Sequence, residues 1–276
     1  MVSQCTAPQT LTINRAPVLT LWAAVVAERL GFEWPEALTL GRAVAGLNAY
    51  SQGKALGLFK PVPKTVKEIR ALGRDGSAHS VHVGKWEDCN RLANEVYTRW
   101  GRADVLNNNA GMSPLAPSSL ETREELFDKI ISVNLKGPFL LSALFGSRMA
   151  AGEGGVIINI SSTASIRPNP ETAPYAAAKA GLNILTVACA KEYGPKVRVN
   201  CIICGPFHTD VSKGWSRTED FTRRARKTFP LQRAGEPHEV VGDALSFASP
   251  AASFTTGTTL TIDGGSSQPL VKTVYE

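Results

Sequence analysis

Residues 155–162 read GVIINISS, and residues 173–179 read APYAAAK. The first stretch is a largely apolar, β-branched run that predicts a buried strand, and the second opens an alanine-rich run that predicts a helix over 173–190. On that helix Tyr175 and Lys179 lie one turn apart on the same face. Because an ammonium beside a phenol favours the phenolate, we expect the pKa of Tyr175 to lie below its ordinary value of about 10. Taken alone, however, such a pair is more typical of a solvated helix face.

The sequence around this pair carries further motifs in a fixed order. Ser162 precedes Tyr175 by thirteen residues, and Asn134 precedes it by forty-one. The other motifs are NNAG at 108–111, SVNLKGPF at 132–139, VRVNCIICGPFHTD at 197–210, PLQRAGEPHEV at 230–240 and TGTTLTIDGG at 256–265. With these motifs in this order and spacing, over roughly residues 66–265, the chain resembles the short-chain dehydrogenase/reductase family.

The resemblance implies an oxidoreductase that uses NAD or NADP to interconvert a secondary alcohol and a ketone. Tyr175 would transfer the proton, Lys179 would also hold the nicotinamide ribose, and Ser162 would hydrogen-bond the developing oxyanion. Asn134 would anchor a water in a relay to Lys179. Family members pair two long helices across a two-fold axis, which implies a homodimer or homotetramer. The implied cofactor-binding residues are Asn109, Ala110, Gly111, Tyr175, Lys179, Gly205, Pro206, Phe207 and Thr209.

The order of apolar patterns predicts an α/β fold with a doubly wound, Rossmann-like parallel sheet. Helix and strand patterns alternate from residue 66 onward, apart from a variable insertion at 207–229. Besides GVIINISS, the predicted strands are AHSVHV (78–83), ADVLNN (103–108), KVRVNCII (196–203) and TTLTIDG (258–264). Besides the Tyr175 helix, the predicted helices cover 86–101, 122–150 and 236–248.

The first 65 residues depart from the family pattern. A first strand, a TGxxxGxG turn, a helix and a second strand belong here in the family, and we find no such glycine turn. The segment is instead interpreted as helices over 16–31 and 35–56. The predicted division is therefore a helical segment of unknown family at 1–65 and a Rossmann-like domain at 66–276 that lacks its first strands. Such a domain leaves one edge of ADVLNN without a strand partner.

Two functional hypotheses remain open at this point. The first is the oxidoreductase with the Asn134, Ser162, Tyr175 and Lys179 set. The second is a catalytically impaired fusion or pseudoenzyme scaffold that does not bind dinucleotide. The missing turn supports the second hypothesis, because backbone N–H groups of that turn hold the pyrophosphate. His82, where the family has an aspartate for the adenine, points the same way. A dinucleotide titration distinguishes them.

Composition excludes several other classes of function. The chain has 276 residues, 43% of them apolar, and can bury one substantial core. Its net charge of +6 is dispersed, and we interpret its densest basic group, RTEDFTRRARK at 217–227, as a solvated helix face. No basic and aromatic residues interleave, so no nucleic-acid partner is expected. No apolar run approaches about eighteen residues and no signal peptide is evident, which favours a cytoplasmic protein without a membrane partner.

The cysteines and histidines give no redox or metal motif. Cys201 and Cys204 form a C-x-x-C, but on a strand residues three apart point to opposite faces, so we expect small packing residues. The four histidines show no ligand spacing, and no metal is expected. We expect a small-molecule alcohol or ketone as substrate. Neither its identity nor the choice between NAD and NADP follows from the sequence.

Overall fold

A parallel sheet with helices on both faces forms the centre of the molecule. The computed structural model describes residues 73–209 and 211–268. In this part of the chain four strands form one parallel sheet in the order β1-β2-β3-β4. The strands are β1 Val105–Asn108, β2 Gly155–Ser162, β3 Val197–Cys204 and β4 Thr259–Ile262. The predicted α/β fold class is confirmed, whereas the predicted helical segment at 1–65 lies outside the described residues.

In the described part of the chain, one helix precedes β1, and the others connect each strand to the next. They are α1 Trp86–Trp100, α2 Glu124–Ile131, α3 Gly137–Ala151, α4 Ala173–Tyr193, α5 Glu219–Thr228 and α6 Val241–Ala248. A π-helical turn, Ser132–Lys136, joins α2 to α3, so the long helix predicted over 122–150 is confirmed as one continuous helical stretch. This stretch is apolar and long enough to cross a membrane, but 56% of its most apolar window is buried inside the domain, as in a core helix.

The central strands are apolar because both of their faces are covered. Ile157 and Val199 pack into the cluster formed with α1, α3 and α4. Val156, Ile158 and Ile202 face the other way and pack against α6. A parallel sheet with helices on both faces produces such continuous apolar runs instead of strict alternation. The register places Ser162 of β2 beside Cys204 of β3, so both strands end at the same edge.

Helix α1 shows how closely the sequence sets an element's end. Its buried residues Cys89, Leu92, Ala93 and Val96 follow helical spacing. Gly101 adopts a left-handed φ of 72°, and its N–H donates to the Tyr97 carbonyl. A left-handed cap of this kind favours glycine, because a Cβ is strained at positive φ. The predicted end of the helix at Gly101 is confirmed.

The predicted strand at 78–83 is wrong in the part of the chain that the structure describes. These residues form no ladder with β1–β4, and a turn follows at Val83–Gly84. Val81 and Val83 are nevertheless buried against α1, so side-chain packing holds the segment. A strand exists only with a ladder partner. In the doubly wound order, the neighbours of this segment precede it in the chain, beyond the described residues.

Close packing between α3 and α4 leads to a stability prediction. An ideal Cβ on Gly146 would lie 2.6 Å from two ring atoms of Tyr193, which is itself buried. Helix propensity alone predicts that Gly→Ala stabilises by about 0.5–1 kcal/mol. Overpacking costs typically about 1–3 kcal/mol. We therefore expect Gly146→Ala to lower the free energy of unfolding by about 1 kcal/mol, measured by chemical denaturation.

Gly181→Ala is the matched control, because Gly181 is also helical but its ideal Cβ meets only the Leu135 side chain, at 3.0 Å and beyond. The terminal methyl groups of a leucine move easily, so this substitution should be neutral or stabilising. Equal effects of the two substitutions would contradict the packing explanation.

Candidate active site

The predicted catalytic residues converge at the carboxyl edge of the sheet. β1 ends at Asn108 and continues into the loop 109–112, and β2 ends at Ser162. Helix α4 begins at Ala173, with a proline in its first turn, so Tyr175 lies near the helix start and Lys179 one turn later. Ligands of doubly wound sheets bind outside the carboxyl ends of the strands. The described fold thus positions these side chains where a ligand is expected.

The two serines that end β2 point to different partners. The Ser161 hydroxyl donates to the Lys179 carbonyl at 3.2 Å, which ties the strand to the α4 backbone. The Ser162 hydroxyl hydrogen-bonds the Tyr175 phenol and also accepts from the Ala164 N–H at 3.2 Å. Successive strand residues face opposite sides. The structure therefore brings Ser162, not Ser161, to the phenol, as the sequence predicts.

Lys179 is a buried ammonium, only 3% exposed. Its Nζ donates to the Ile160 carbonyl at 2.8 Å and lies 5.9 Å from the centroid of the Tyr175 ring. Burial lowers the pKa of Lys179 from 10.5 to about 8, against the opposing influence of Cys201 and Cys204. Desolvation disfavours the charged form of a lysine. The group remains protonated at neutral pH and loses its proton in mildly alkaline solution.

The expected lowering of the pKa of Tyr175 is wrong in this structure. Burial raises the pKa of Tyr175 from 10 to about 12, although the hydrogen bond with Ser162 acts in the opposite direction. The ammonium of Lys179 donates to a main-chain carbonyl instead of to the phenol oxygen. Helical spacing brings the two side chains together but does not fix where the ammonium points. At neutral pH Tyr175 is therefore a protonated phenol.

Asn134 lies in the π-helical turn and is fully buried. Its amide Nδ2 donates to the carbonyls of Ile130 and Met112, at 2.9 Å each. Its Oδ1 accepts from the Met112 N–H at 3.2 Å. The side chain thus fastens the loop after β1 to the helix. Whether Asn134 also anchors a relay water stays a prediction.

At Gly111 the loop after β1 passes close to the catalytic residues. An ideal Cβ at this position would lie 3.0 Å from Asn134 Oδ1 and 3.5 Å from Lys179 Nζ. A side chain here would therefore press on the Asn134 amide and the ammonium. Among the described residues, Ile160 is the one hydrogen-bond acceptor of Lys179, although an ammonium has three donors. A buried cation with spare donors beside this loop fits the hydroxyl groups of a ribose.

A buried polar network behind the site escaped the sequence reasoning. Asn108 Nδ2 donates to Asn159 Oδ1 at 2.9 Å and to Ser142 Oγ at 3.0 Å. Asn159 Nδ2 in turn donates to Thr186 Oγ1 at 2.9 Å. The network connects β1, β2, α3 and α4 directly behind the loop that holds Asn109, Ala110 and Gly111. The sequence signal for this network was the presence of Asn108 and Asn159 within otherwise apolar strands, because buried amides need hydrogen-bond partners.

The turn after β3 lies beside the end of β4. The Gly205 N–H donates to the Ile262 carbonyl at 2.8 Å, and an ideal Cβ on Gly205 would lie 2.6 Å from Asp263 Cα. The predicted Pro206 and Phe207 line a shallow pocket, and Thr209 follows in a turn where its N–H donates to Ser212 Oγ. The other lining residues are Leu231, Arg233, Gly235, Glu239, Ile262, Asp263 and Gly264. The structure gives this pocket no direct contact with Tyr175.

The cysteine prediction is confirmed. Cys201 and Cys204 are both free thiols. Cys201 Sγ donates to Asn183 on α4, whereas Cys204 packs beside the α6 cluster, so the two side chains point to opposite faces. Burial raises the pKa of Cys201 to about 11 and that of Cys204 to about 12. Among the described residues, no cluster of three or more potential metal ligands occurs.

On the adenosine side, the ring of His82 is used locally. Its Nδ1 accepts from the Gly84 N–H at 3.2 Å, and the His82 backbone N–H donates to Asp88 Oδ2 at 2.8 Å. The imidazole thereby shapes the turn that leads into α1. A neutral imidazole has one acceptor nitrogen, and here that nitrogen already has a donor. An adenine amino group would have to find another acceptor.

Comparisons with known proteins agree with this geometry. The family model described as Enoyl-(Acyl carrier protein) reductase matches residues 39–267. Human dehydrogenase/reductase SDR family member 4 is 31% identical over 205 residues, which are 74% of this chain and 74% of that one. The 3-oxoacyl-(acyl-carrier-protein) reductase of Thermotoga maritima is 36% identical over 205 residues, with 72% and 80% covered. The chain therefore belongs to the short-chain dehydrogenase/reductase family of oxidoreductases.

Solved structures support the same conclusion. The gluconate 5-dehydrogenase from Burkholderia cenocepacia, solved in complex with NADP and tartrate, aligns with a TM-score of 0.76 at 27% identity. The alignment covers 95% of this chain and 96% of that one. The family match itself begins at residue 39, upstream of the predicted domain boundary at residue 66. The resemblance inferred from the motifs is confirmed and extends further toward the N-terminus.

The buried ammonium leads to a prediction about stability and pH. The folded-state pKa of Lys179, about 8, lies below its ordinary 10.5, which corresponds to roughly 3 kcal/mol against the folded state. The penalty is complete below pH 8 and shrinks as pH rises to about 10.5. Lys179→Met removes both the penalty and one hydrogen bond worth about 1 kcal/mol. We expect the free energy of unfolding of the variant to exceed that of the wild type by about 1–2 kcal/mol at pH 7, measured by denaturant titration.

The advantage of Lys179→Met over the wild type should disappear between pH 8 and about 10.5, because only the wild-type native state releases its proton in this range. Lys191→Met, an exposed position on the same helix, is the control and should show no such trend. If the variant were no more stable than the wild type at pH 7, this would contradict a free-energy cost of burying the Lys179 ammonium.

Proposed function

We propose that this chain is an NAD(P)-dependent oxidoreductase that interconverts a secondary alcohol and a ketone. The observation that carries the proposal is the arrangement of Ser162, Tyr175 and Lys179 at the carboxyl edge of the sheet. A hydroxyl, a protonated phenol and a buried ammonium lie in sequence at this edge. Such a set suits the transfer of one proton to or from a substrate oxygen.

The residues divide this task by their chemistry. Because the pKa of Tyr175 is about 12, the phenol carries its proton at neutral pH and can donate it to the oxygen of a ketone. The Ser162 hydroxyl, which already bonds the phenol, is positioned to hydrogen-bond the same oxygen and stabilise its developing charge. When bound, the dinucleotide supplies or accepts the hydride. The protonated phenol favours reduction of the carbonyl near neutral pH.

Lys179 has two roles in this proposal. Its spare donors would hold the hydroxyls of the nicotinamide ribose, beside the close approach of Gly111. Its positive charge would stabilise the phenolate that remains after Tyr175 gives up a proton. Asn134, fixed to Met112, would keep the loop 109–111 at the right distance for the cofactor. Gly205, Pro206, Phe207 and Thr209 would close over the nicotinamide from the end of β3.

The proposed cofactor is a nicotinamide dinucleotide, NAD or NADP. The solved relative in complex with NADP supports a nicotinamide dinucleotide as the class of cofactor. The alternative, a scaffold that binds no dinucleotide, rests on the missing glycine turn, and the relatives do not favour it. The experiment must therefore measure cofactor binding separately from turnover.

Tyr175→Phe tests the proposal directly. NADH and NADPH are titrated by calorimetry into the purified 276-residue chain, and a panel of ketones is assayed for reduction. The substitution removes only the transferable proton, so we expect turnover to fall by at least about a hundredfold. Cofactor affinity should stay within about twofold of the wild-type value, because we expect the phenol hydroxyl to contribute little to cofactor binding.

Tyr193→Phe, at the other end of the same helix, is the control and should retain normal turnover. If Tyr175→Phe kept more than a tenth of the wild-type activity, Tyr175 would not be the residue that transfers the proton. If neither dinucleotide binds the wild-type chain at millimolar concentration, the scaffold hypothesis replaces the enzyme.

We also propose that the enzyme is a homo-oligomer. Exposed apolar side chains lie on the two long helical elements, among them Phe139, Ile184 and Val187, exposed by 44%, 70% and 37%. Apolar surface on neighbouring helices suits an isologous two-fold contact. Ile184→Glu should shift the protein to a smaller species by sedimentation velocity. The matched control is Leu120→Glu, since Leu120 is 95% exposed but lies in a turn. A wild-type monomer would contradict the proposal.

A further inference from the structure

The segment between β3 and α6 leaves the carboxyl edge of the sheet and returns to it. It leaves just after Thr209, and it returns where the Leu231 N–H donates to the Gly264 carbonyl at 3.1 Å. An ideal Cβ on Gly265 would lie 2.5 Å from Pro230 Cγ, so the return is closely packed. We refer to residues 211–230 as the rim segment. Both of its ends adjoin the edge where Tyr175 lies.

The rim segment has its own small apolar core. Phe221, Ala225 and Phe229 of α5 and its C-terminal end pack with Ala234 in a cluster separate from the two clusters of the sheet. The Thr218 hydroxyl caps α5 by accepting from the Phe221 N–H at 3.2 Å. The opposite face of α5 is exposed. The segment is therefore an amphipathic element whose outer face meets solvent.

Positive charge is concentrated in this segment. Six basic residues lie in it, and its acidic residues are Glu219 and Asp220. With Asp210 counted as a third acid, the insertion 207–229 carries a net charge of +3, half of the +6 of the whole chain. The basic residues are Lys213, Arg217, Arg223, Arg224, Arg226 and Lys227.

Most of these cations have no acidic partner within residues 73–209 and 211–268. Among the described residues, Arg223 alone of the six pairs with an acid, Asp220, whereas Arg224 lies over the Phe221 ring at 5.5 Å. Arg226 and Lys227 occupy the last turn of α5, where the helix dipole accounts for positive charge. The dipole does not explain the other unpaired cations, Lys213, Arg217 and Arg224, which precede that turn.

Exposed apolar side chains lie in the same region. Val211 and Trp215 are exposed by 39% and 42%, and Leu231, directly after the segment, by 61%. The Trp215 ring packs against Phe221, with centroids 5.3 Å apart. Cations without an acidic partner among the described residues and exposed apolar groups together suit a ligand with an apolar body and a negative group.

Resting on the function proposed above, we propose that the rim segment recognises the substrate by its charge. The substrate class is a carbonyl compound with an apolar body and a carboxylate or phosphate remote from the reacting carbonyl. Lys213, Arg217 and Arg224 hold the anion, and Val211 and Trp215 cover the apolar body. Surface charges act over about 8 Å at physiological ionic strength, so this preference weakens in high salt.

A matched set of ketones tests the proposal. It consists of a medium-chain methyl ketone that ends in a carboxylate, its methyl ester, the corresponding phosphate monoester and the trimethylammonium analogue. Each compound is titrated by calorimetry and assayed for reduction. We expect the better of the two anions to exceed the ester about tenfold in affinity and in kcat/KM, and the cation to be the poorest. The phosphate monoester shows which anion is preferred.

The variant Lys213→Gln/Arg217→Gln/Arg224→Gln should abolish this preference and leave the ester unchanged. It spares the last turn of α5, and circular dichroism checks that the helix persists. The control removes three exposed charges at the opposite edge of the sheet. It is the triple variant Arg102→Gln/Lys191→Gln/Lys196→Gln, and it should keep the preference.

The outcomes separate this inference from the proposed function. Reduction of the ester with no preference for either anion overturns the inference and leaves the oxidoreductase intact. A preference that survives the rim variant overturns it too. Tighter binding of an anion without any turnover supports the rim site and contradicts the proposed function instead.

Discussion

The hydrogen bond from the Lys179 ammonium to the Ile160 carbonyl holds the site together. Ile160 lies two residues before Ser162 on β2, and Lys179 lies one turn after Tyr175 on α4. A buried charge must have an acceptor, so this bond restricts how α4 can rotate and slide over β2. The Ser161 hydroxyl, which donates to the Lys179 carbonyl, adds a second restraint in the same place. The contact between the Ser162 hydroxyl and the phenol follows from these two bonds.

Behind this contact the chain uses buried amides where apolar residues would also fit. Asn108 and Asn159 connect β1 to β2, and Thr186 extends the connection to α4. The amide donors of Asn108 and Asn159 have acceptors, so the network tolerates few alternative arrangements, because a shift leaves a buried donor without an acceptor. Asn134 has the same effect on the loop after β1, through both polar groups of Met112. Hydrophobic packing holds the layers together, and these amides fix their alignment.

The sequence predicted the layers well because periodicity reports burial directly. The strands β1 to β4, the end of α1 at Gly101 and the long helical stretch could all be read from apolar spacing and one glycine. The prediction of a strand at 78–83 was wrong because alternation reports which side chains are buried, not whether the backbone pairs. Val81 and Val83 are buried without forming a β-ladder with β1–β4.

The site was predictable in its membership but not in its electrostatics. Motif spacing brought Ser162, Tyr175 and Lys179 together, and the structure places Ser162 at the phenol and the ammonium 5.9 Å from the centroid of its ring. The pKa of Tyr175 depends on where the ammonium points and how deeply the phenol is enclosed. Both are tertiary properties that no spacing contains. The prediction that the basic run at 217–227 forms a solvated helix face is confirmed, since its charged residues are exposed. How the ends of the segment are anchored is again a tertiary property.

The π-helical turn at Ser132–Lys136 has a consequence for how the chain can vary in length. A π turn is an α-helix with one extra residue accommodated locally. Deleting a single residue here would let the helix continue in regular form, but every side chain on one side of the deletion would rotate by about 100° relative to the other. Asn134 would then leave Met112, or the apolar face of α3 would leave the sheet. The two halves of this helical stretch must keep their relative orientation. Its number of residues is therefore as constrained as the identity of those residues.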